Sequence, residues 1–247
     1  GWIPYIKTFI EYLAKKNEVS DFLNDKKEYY DKIFLYLDNK LWNKMLKKNN
    51  VIKKMLLKTS ILKTIEYNFC LELLGNDTKK LFEFLNKNKI FVEKIDKDSF
   101  KYYPFFEEYL ITKANETLNI KKLHMEIIEI YDSLNESDKM IYHFIKIDKI
   151  KKAINILLNY NDQWFYSNEK YKLLNEAILL INKDHYKKYP IFYLLRGDWF
   201  LCQKKYNKAL NNYKNGANHF NKIEGNKYYI LFLIKITRLY FFTMSKK

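Results

Sequence analysis

Apolar residues recur every three to four positions along most of this chain, which is the spacing of amphipathic helices. One such helix follows the first four residues, a second begins near Tyr29, and one or two more run from Leu41 to Lys58. The Thr-Ser pair at 59–60 ends this run, because both side chains bond to nearby backbone groups, and it should cap the following helix. The first part of the chain is therefore predicted to be helical.

Two shorter helices come next, and each has an identifiable end. The first begins at Glu66 and ends at Gly75, since glycine readily takes the left-handed conformation that closes a helix. The second begins at Thr78, with Asn76 and Asp77 available to cap it.

A β-hairpin interrupts the helical pattern after these two helices. Residues 90–95 (IFVEKI) combine β-branched and aromatic side chains as strands do, residues 96–98 (DKD) form a turn, and a partner strand begins at Phe100. Pro104 then starts another helix, at a position where its missing N–H has no partner to lose. Helix, two short helices, hairpin and helix follow one another in the order of a winged helix.

Beyond Ala114 the chain changes to short amphipathic helices joined by polar turns. Paired antiparallel helices of this kind cannot bury an apolar face alone, so they stack into a solenoid. The predicted helices lie around residues 120–133, 137–146, 148–159, 168–181, 190–203, 206–220 and 226–242. The overall prediction is a mostly α fold, in which a small helical module and a winged helix with one β-hairpin precede a tetratricopeptide-like α-solenoid.

One helix pair fits a known repeat spacing. From Pro190 the chain has aromatic and small residues at the offsets of a tetratricopeptide repeat, namely Tyr193, Gly197, Phe200, Ala209, Tyr213 and Gly216. The small residues let two helices approach, and the aromatics fill the space between repeats. The first helix of the pair should present Leu194, Asp198 and Leu201 on a concave face, where a ligand or a partner would bind. In the alternative interpretation, the aromatics form only the core between repeats.

Composition agrees with a helical fold and limits what the charge implies. The 247 residues are 48% hydrophobic and include only five glycines and three prolines, which favours helices over a turn-rich β architecture. A formal net charge of +16 is typical of proteins that bind nucleic acid. However, Arg196 and Arg238 are the only arginines among 45 basic residues, and lysine lacks the planar fork that reads bases. A solvated lysine surface is the favoured interpretation.

Candidate chemistry is sparse. Cys70 and Cys202 lie far apart in apolar helical contexts, which predicts buried thiols in a reducing compartment and neither a disulfide nor a metal site. The four histidines are scattered and are expected at helix surfaces or helix ends. No nucleophile, general base or carboxylate pair has the required spacing, so the sequence predicts no enzyme. Because no apolar run reaches 18 residues, we expect no membrane contact and a cytoplasmic protein.

The order of segments resembles a known family. Residues 1–4 (GWIP), 55–62 (MLLKTSIL), 100–110 (FKYYPFFEEYL) and 140–158 (MIYHFIKIDKIKKAINILL) are similar, in order and spacing, to the middle of MalT-type transcriptional activators. These activators are ATP-dependent LuxR-family regulators of the STAND class of signal-transduction NTPases. The resemblance is continuous over roughly the first 160 residues and looser beyond them.

The resemblance implies a separate role for each domain of the full-length protein. In such regulators a nucleotide-binding domain holds ATP or ADP, a winged helix closes on it, a repeat domain receives an inducer or a regulatory protein, and a C-terminal helix-turn-helix binds promoters. Residues 1–38 are accordingly expected to end a helical module, 39–116 to form the winged helix and 117–247 to form the repeats. The chain has no P-loop and starts at Gly1 without methionine, so we expect a fragment with no cofactor of its own, whose full-length parent binds ATP or ADP.

Two nucleotide contacts follow from the resemblance alone. The family's corner for adenine falls at Gly1 and Pro4, and the position from which its winged helix presents a histidine to the diphosphate falls at Tyr103. A tyrosine donates a hydrogen bond to phosphate but carries no positive charge near neutral pH. In the alternative, structural interpretation, Tyr103 only packs the wing.

The predicted function is regulatory. The chain would bind a small-molecule inducer or a regulatory protein on its repeats and relay this to transcription, through a shift between a closed state and an open, self-associating one. DNA would be contacted through a C-terminal domain outside this chain. A free-standing repeat adaptor that binds peptides is the first alternative. The second is a DNA-binding winged helix, which would use the helix from Thr78 and the wing residues Lys94, Lys97 and Lys101.

Overall fold

The computed structural model describes residues 31, 34–35, 37–47, 49–89, 91–159, 175–220 and 227–244. The chain divides into two compact units, Gly1–Ile130 and Tyr131–Lys247. Helices make up most of the described residues, and a small three-stranded antiparallel sheet lies in the first unit. The predicted mostly α fold with a winged helix is confirmed. The predicted domain boundaries at 38/39 and 116/117 stay predictions.

The first unit alternates helices with short strands. Helical residues at 31, 34–35 and 37 lead into a π-helical segment, which is followed by the elements of the winged helix. In chain order these are the π-helical segment Asp38–Met45, α1 Asn50–Thr59, β1 Ile65–Glu66, α2 Tyr67–Leu74, a 3₁₀ turn Gly75–Asp77, α3 Thr78–Lys87, β2 Val92–Asp96, β3 Ser99–Tyr102 and α4 Pro104–Thr117.

Polar side chains close both ends of α1. Asn49 caps its start, because the Asn49 side-chain oxygen accepts a 3.1 Å hydrogen bond from the N–H three residues further on. At the other end, the hydroxyls of Thr59 and Ser60 donate to the carbonyls of Met55 and Leu57 at 2.9 and 2.8 Å. The Thr-Ser pair therefore ends α1, and the prediction that it caps the next helix is wrong.

The sheet contains one strand more than the predicted hairpin. Its order is β1-β3-β2, with Ile65 opposite Phe100 and Glu66 opposite Ser99. Glu66 was predicted to be helical and β1 was not predicted, because a two-residue strand is too short to show an alternating pattern. With β1 in place, the order α1-β1-α2-α3-β2-β3-α4 is the complete topology of a winged helix.

The link between α2 and α3 depends on one glycine. Gly75 ends α2 as predicted, with φ +62° and ψ −139°, a backbone conformation that essentially only glycine adopts. This ψ lies outside the left-handed helical region that was expected. The buried Thr78 hydroxyl then donates a 2.7 Å hydrogen bond to the Cys70 carbonyl, which holds the start of α3 against α2. Asp77 was expected to cap α3, but its carboxylate instead pairs with Lys80 at 2.8 Å.

An aromatic core joins the sheet to α4. Phe91 stacks on Phe106 with ring centroids 4.5 Å apart, and Tyr102 meets Phe106 edge-on at 5.5 Å. The Tyr102 hydroxyl shares a 2.7 Å hydrogen bond with the hydroxyl of Thr59, and both side chains are buried. This bond ties α1 to β3 and satisfies two polar groups inside the core.

The second unit consists of helices in its described part. Helix α5 contains the boundary between the two units, and residues 175–180 are also helical. The remaining elements are α5 Ile120–Ser133, α6 Ser137–Lys146, α7 Ile150–Asn159, α8 Lys183–Lys188, α9 Phe192–Cys202, α10 Tyr206–Phe220 and α11 Lys227–Met244.

Three turns between helices share one geometry. Asn135, Asp148 and Lys204 each have φ +58°, which places them in the left-handed region. The residue after each of them donates its N–H, at 2.9 Å, to the carbonyl five residues before. This is the Schellman arrangement, which satisfies carbonyls at the end of a helix. Asn and Asp tolerate the left-handed region better than lysine does.

Two glycines allow helices α9, α10 and α11 to pack closely. A Cβ atom added at Gly197 would clash with the ring of Tyr213, and one added at Gly216 would clash with the ring of Phe232. Both rings are fully buried. The expected close approach at these small residues is therefore present, whereas the assignment of the helices to a tetratricopeptide repeat stays a prediction.

Candidate functional site

The corner where β3 meets α4 holds the residue predicted to contact a nucleotide. The Tyr103 N–H donates to the Phe91 carbonyl at 3.1 Å, and the Tyr103 carbonyl accepts from the Glu107 N–H at 2.9 Å. Its half-buried ring lies nearly parallel to that of Phe105, with centroids 6.4 Å apart. The backbone of Tyr103 is thus fixed, while part of its side chain remains accessible.

Charged side chains surround this corner. Partial desolvation lowers the pKa of Lys63 to about 8, although the carboxylate of Glu107 opposes this shift, and the charge of Lys101 adds to it. Burial raises the pKa of Glu107, against the attraction of Lys101 and Lys63. Both lysines reach solvent. They bring positive charge to the start of α4, which the carboxylate of Glu107 offsets in part.

The exposed side of α3 and the wing is the surface that a DNA-binding winged helix would use. Lys80 already has an ion pair at 2.8 Å. At the wing tip, Lys97 lies between the exposed residues Asp96 and Asp98, so the tip carries more negative than positive charge. Because carboxylates repel phosphates, this surface favours DNA less than its lysine content implies. The exposed residues of α3 are Lys79, Lys80, Glu83, Asn86 and Lys87.

The predicted ligand face of α9 lies largely inside the second unit. Leu194 and Asp198 are each 3% exposed, and Leu201 is partly exposed. The Asp198 carboxylate accepts a 2.6 Å hydrogen bond from the Tyr213 hydroxyl and forms a 3.2 Å ion pair with Lys235. Asp198 therefore connects α9 with α10 and α11. A ligand-binding role for these three residues stays a prediction.

A groove that was not predicted from the sequence lies between α8, α9 and α10. Its volume is about 600 Å³. The signal was present, because Tyr193, Arg196 and Phe200 follow the i, i+3, i+7 spacing of one helix face, and Arg196 is one of two arginines. The lining comprises the aromatic residues Tyr186, Tyr193 and Phe200, the basic residues Lys187, Arg196 and Lys208, and the amides Asn211, Asn212 and Asn215.

Helix α11 exposes an apolar stripe. A smaller groove of about 380 Å³ lies between this helix and α7. Contiguous apolar surface of this kind is typical of a helix that packs against protein. Within the described ranges, no helix has both the length and the apolar character needed to cross a membrane. The stripe consists of Ile230, Leu233, Ile234, Tyr240 and Phe241, each at least 40% exposed.

A comparison with protein families identifies one region of the first unit. Residues 48–120 match the family model described as the MalT winged helix domain. This region is a MalT-like winged helix. The matched segment runs from just before α1 to the first residue of α5, so it covers every element from α1 to α4. The comparison with curated proteins found no match.

Of the residues predicted to contact a nucleotide, Tyr103 belongs to the MalT-like winged helix. Tyr103 lies inside it, at the N-terminus of α4 and beside Lys101. Gly1 and Pro4 lie outside the described residues. The stacking of Tyr103 on Phe105 agrees with the structural interpretation of this residue, and its contact with a nucleotide stays a prediction.

Both thiols were predicted to be buried, which is correct for Cys70 and wrong for Cys202. Cys70, within the MalT-like winged helix, is buried, and burial raises its pKa to about 12. Cys202 on α9 is partly exposed, and its pKa is raised to about 11, first by burial and second by the charge of Asp198. Across the described ranges, no three His, Cys, Asp or Glu side chains are grouped so as to hold a metal ion.

Three of the four histidines lie at helix ends, as predicted. His185 closes a capping box with Asn182 at the start of α8, and His143 and His219 lie in the last turns of α6 and α10, although His143 is also buried. His124 lies in α5 and is buried, although a surface or helix-end position was predicted. The error arose because spacing between histidines excludes a shared metal site but does not measure burial.

Proposed function

We propose that this chain is the coupling and sensing portion of a MalT-like transcriptional regulator. The observation that carries the proposal is the match of residues 48–120 to the MalT winged helix domain, over a region with complete winged-helix topology. In the proposal, the winged helix couples a nucleotide-binding domain to the helices that follow. Those helices receive a small-molecule inducer or a regulatory protein, and DNA is bound by a separate C-terminal domain.

The proposed coupling uses the corner at the start of α4. In a closed state, the Tyr103 hydroxyl and the lysines at positions 63 and 101 would face the phosphates of ATP or ADP held by the parent protein. Oxyanions are attracted to such a place, because the positive end of the α4 dipole and the nearby cations both favour negative charge. The residues act by binding and not by catalysis, so no enzymatic step is assigned to this chain.

The proposed sensing uses helices α6 to α11. Neighbouring helices pack through Gly197 against Tyr213 and through Gly216 against Phe232, which supports a tetratricopeptide-like repeat at α9 to α11. The proposed repeat region is 117–247. A ligand on these helices would shift the equilibrium between the closed state and an open, self-associating one. Coupling of this kind typically amounts to about 1–3 kcal/mol between two sites.

Gene replacement in the source organism tests the proposal. Deletion of the complete gene should change a small set of transcripts, and the wild-type gene should restore them. A Tyr103→Phe variant, which keeps the ring and removes the hydroxyl, should alter the same transcripts, whereas Tyr240→Phe on exposed α11 should not. Unchanged transcripts after deletion, combined with recovery of a specific peptide partner by crosslinking, would favour the free-standing adaptor instead.

The DNA-binding alternative is tested with the purified chain. A winged helix that reads DNA should bind a short AT-rich duplex at physiological salt, and Lys97→Gln should weaken this binding. Affinity that disappears steeply between low and physiological salt would reflect only the lysine-rich surface. We expect the second result, because Asp96 and Asp98 flank Lys97 at the wing tip.

A further inference from the structure

The groove between α8, α9 and α10 has the electrostatics of an anion site. Its lining includes Lys187, Arg196 and Lys208, and none of its nine lining residues is acidic. Among the described residues, these three cations form no ion pair. Like charges gathered without a counter-charge repel one another, and a bound anion would remove that repulsion.

Arg196 is held in place before any ligand arrives. Its guanidinium carbon lies 5.4 Å from the ring centroid of Tyr186 and 5.6 Å from that of Phe200. These cation–π contacts orient the planar group, so little further side-chain freedom is lost on binding. The Lys208 ammonium lies 5.7 Å from the same Phe200 ring, which brings a second cation to the same part of the groove.

Amide side chains provide the groove with neutral hydrogen-bonding groups. Asn211 and Asn215 are four residues apart on α10 and therefore lie on the same face. The Asn212 amide donates a 2.8 Å hydrogen bond to the Lys208 carbonyl, which orients its side-chain oxygen away from that bond. An amide both donates and accepts, so it can recognise a hydroxyl group. An inorganic anion could accept from their N–H groups but would leave their carbonyl oxygens without a donor.

The size and the aromatic lining fit a small organic molecule. A volume of about 600 Å³ is within the range of small-molecule sites. Tyr193 lies against Tyr186 with ring centroids 5.2 Å apart, which adds apolar surface on which the carbon framework of a ligand can rest. Cations, amides and aromatic rings thus converge on one open groove.

We propose that this groove binds the phosphate group of a small polyhydroxylated molecule. The phosphate lies between Arg196 and Lys208, and the hydroxyl groups face Asn211 and Asn215. A phosphate fits better than a single carboxylate, because its greater charge and three free oxygens match several cations at once. The inference rests on the proposed sensing function and names the chemical class of its ligand.

Calorimetry on the complete chain at physiological salt tests the ligand class. The probes are glucose 6-phosphate, glycerol 3-phosphate, their unphosphorylated counterparts, inorganic phosphate and citrate. At least one phosphorylated probe should bind about tenfold more tightly than inorganic phosphate, with no heat from its unphosphorylated counterpart. Equal binding of citrate, or no preference for the phosphorylated probes, overturns the proposal.

Variants test the location. Lys208→Gln and Arg196→Gln should each weaken binding about tenfold or more, and Arg196→Lys should fall between, because it keeps the charge but loses the planar fork. Lys214→Gln, on the same helix but over the ring of Tyr240, is the matched control and should leave affinity unchanged. Circular dichroism verifies that each variant is folded. If loss of the Arg196 stacking perturbs the helix, the affinity of Lys208→Gln decides whether the site exists.

Failure of the phosphate-site proposal is distinguishable from failure of the proposed regulatory function. Equal loss of affinity in Lys208→Gln and Lys214→Gln would show general attraction by lysines and would overturn the site. Suppose that gene deletion changes transcripts but that the groove of the purified protein binds no phosphorylated compound. The regulatory function would then be retained, and only this ligand class would be excluded.

Discussion

The Tyr213 hydroxyl donates a 2.6 Å hydrogen bond to the Asp198 carboxylate, and both side chains are buried. Lys235, on α11, approaches the same carboxylate oxygen to 3.2 Å. One carboxylate thereby links three successive helices. Removal of one partner from a buried ion pair leaves the other charge without compensation, which is more harmful than the loss of a hydrogen bond.

Lys235→Met should therefore lower the free energy of unfolding by about 3–5 kcal/mol. Tyr213→Phe, which leaves the ion pair in place, should lower it by about 1.5–3 kcal/mol. Urea denaturation followed by circular dichroism measures both values. Lys214→Met on the surface of α10 is the control and should stay within about 0.5 kcal/mol of wild type. If Lys235→Met is as mild as this control, the ion pair does not stabilise the helices.

Gly197→Ala should destabilise the second unit by about 1–3 kcal/mol, because the added methyl group clashes with the Tyr213 ring. The thermal unfolding midpoint reports the change. In a Tyr213→Ala background the same substitution should be much milder, since the ring is gone. Equal effects of Gly197→Ala in both backgrounds would mean that the ring does not restrict this position.

Thr59→Val should destabilise the winged helix by about 1–3 kcal/mol, because it leaves the buried Tyr102 hydroxyl without this partner. Burial raises the pKa of Tyr102, against the effect of the hydrogen bond with Thr59, so the hydroxyl stays protonated. Thr59→Val combined with Tyr102→Phe should cost less than the sum of the single changes. Chemical denaturation of the four proteins measures this coupling.

A matched control exists for the cycle at Thr59. Thr117 on α4 makes the same hydrogen bond to the carbonyl four residues before it, at 2.8 Å, but is exposed. Thr117→Val should change the free energy of unfolding by less than about 0.5 kcal/mol. Strict additivity between Thr59→Val and Tyr102→Phe would contradict a shared hydrogen bond.

The thiols should react slowly near pH 8, because burial raises the pKa of Cys70 to about 12 and of Cys202 to about 11, and the thiolate is the reactive form. Labelling with a disulfide reagent should modify Cys202 before Cys70. A Cys202→Ser variant, in which only Cys70 can react, should therefore be labelled more slowly than the wild type.

The pKa of Cys70 also predicts how stability depends on pH. The unfolded Cys70 thiol ionises near its ordinary pKa of about 9, whereas the folded one does not. Unfolding thus releases a proton above that pH, and stability falls as pH rises from about 9.

Lys204→Gly should stabilise the second unit by about 1 kcal/mol, because φ is +58° at this position and glycine has no Cβ to strain. The thermal midpoint should rise. Lys214→Gly, inside α10, tests the opposite case and should destabilise by about 1 kcal/mol, since glycine is a poor helix former. A fall in both midpoints would show that Lys204 makes contacts that outweigh the strain.

Much of the winged helix is predictable from sequence, because its signals are local. Gly75 and Pro104 mark a helix end and a helix start, and both are found as predicted. The direction in which Thr59 bonds is not predictable in the same way, since its hydroxyl can serve either the preceding or the following segment. Strand β1 is defined only by its partner β3, which lies some 35 residues further along the chain.

The predicted ligand face shows where spacing alone stops being informative. The repeat pattern placed Asp198 on a given side of α9, but Lys235, far along the chain, decides that this carboxylate is buried in an ion pair. Likewise, Tyr193, Arg196 and Phe200 form one helix face in the sequence, yet the groove they line needs residues from α8 and α10. Sites assembled from several helices depend on contacts that no single segment encodes.

The successive contacts of α9, α10 and α11 have a mechanical consequence. Each of these helices packs on its neighbour in the chain, α9 on α10 and α10 on α11, as in proteins whose stability is a sum of interfaces between neighbours. Force applied at the C-terminal end would first separate α11, by breaking the contacts of Phe232 and Lys235. The interface between α9 and α10 would separate afterwards, so this part of the second unit would lengthen in steps.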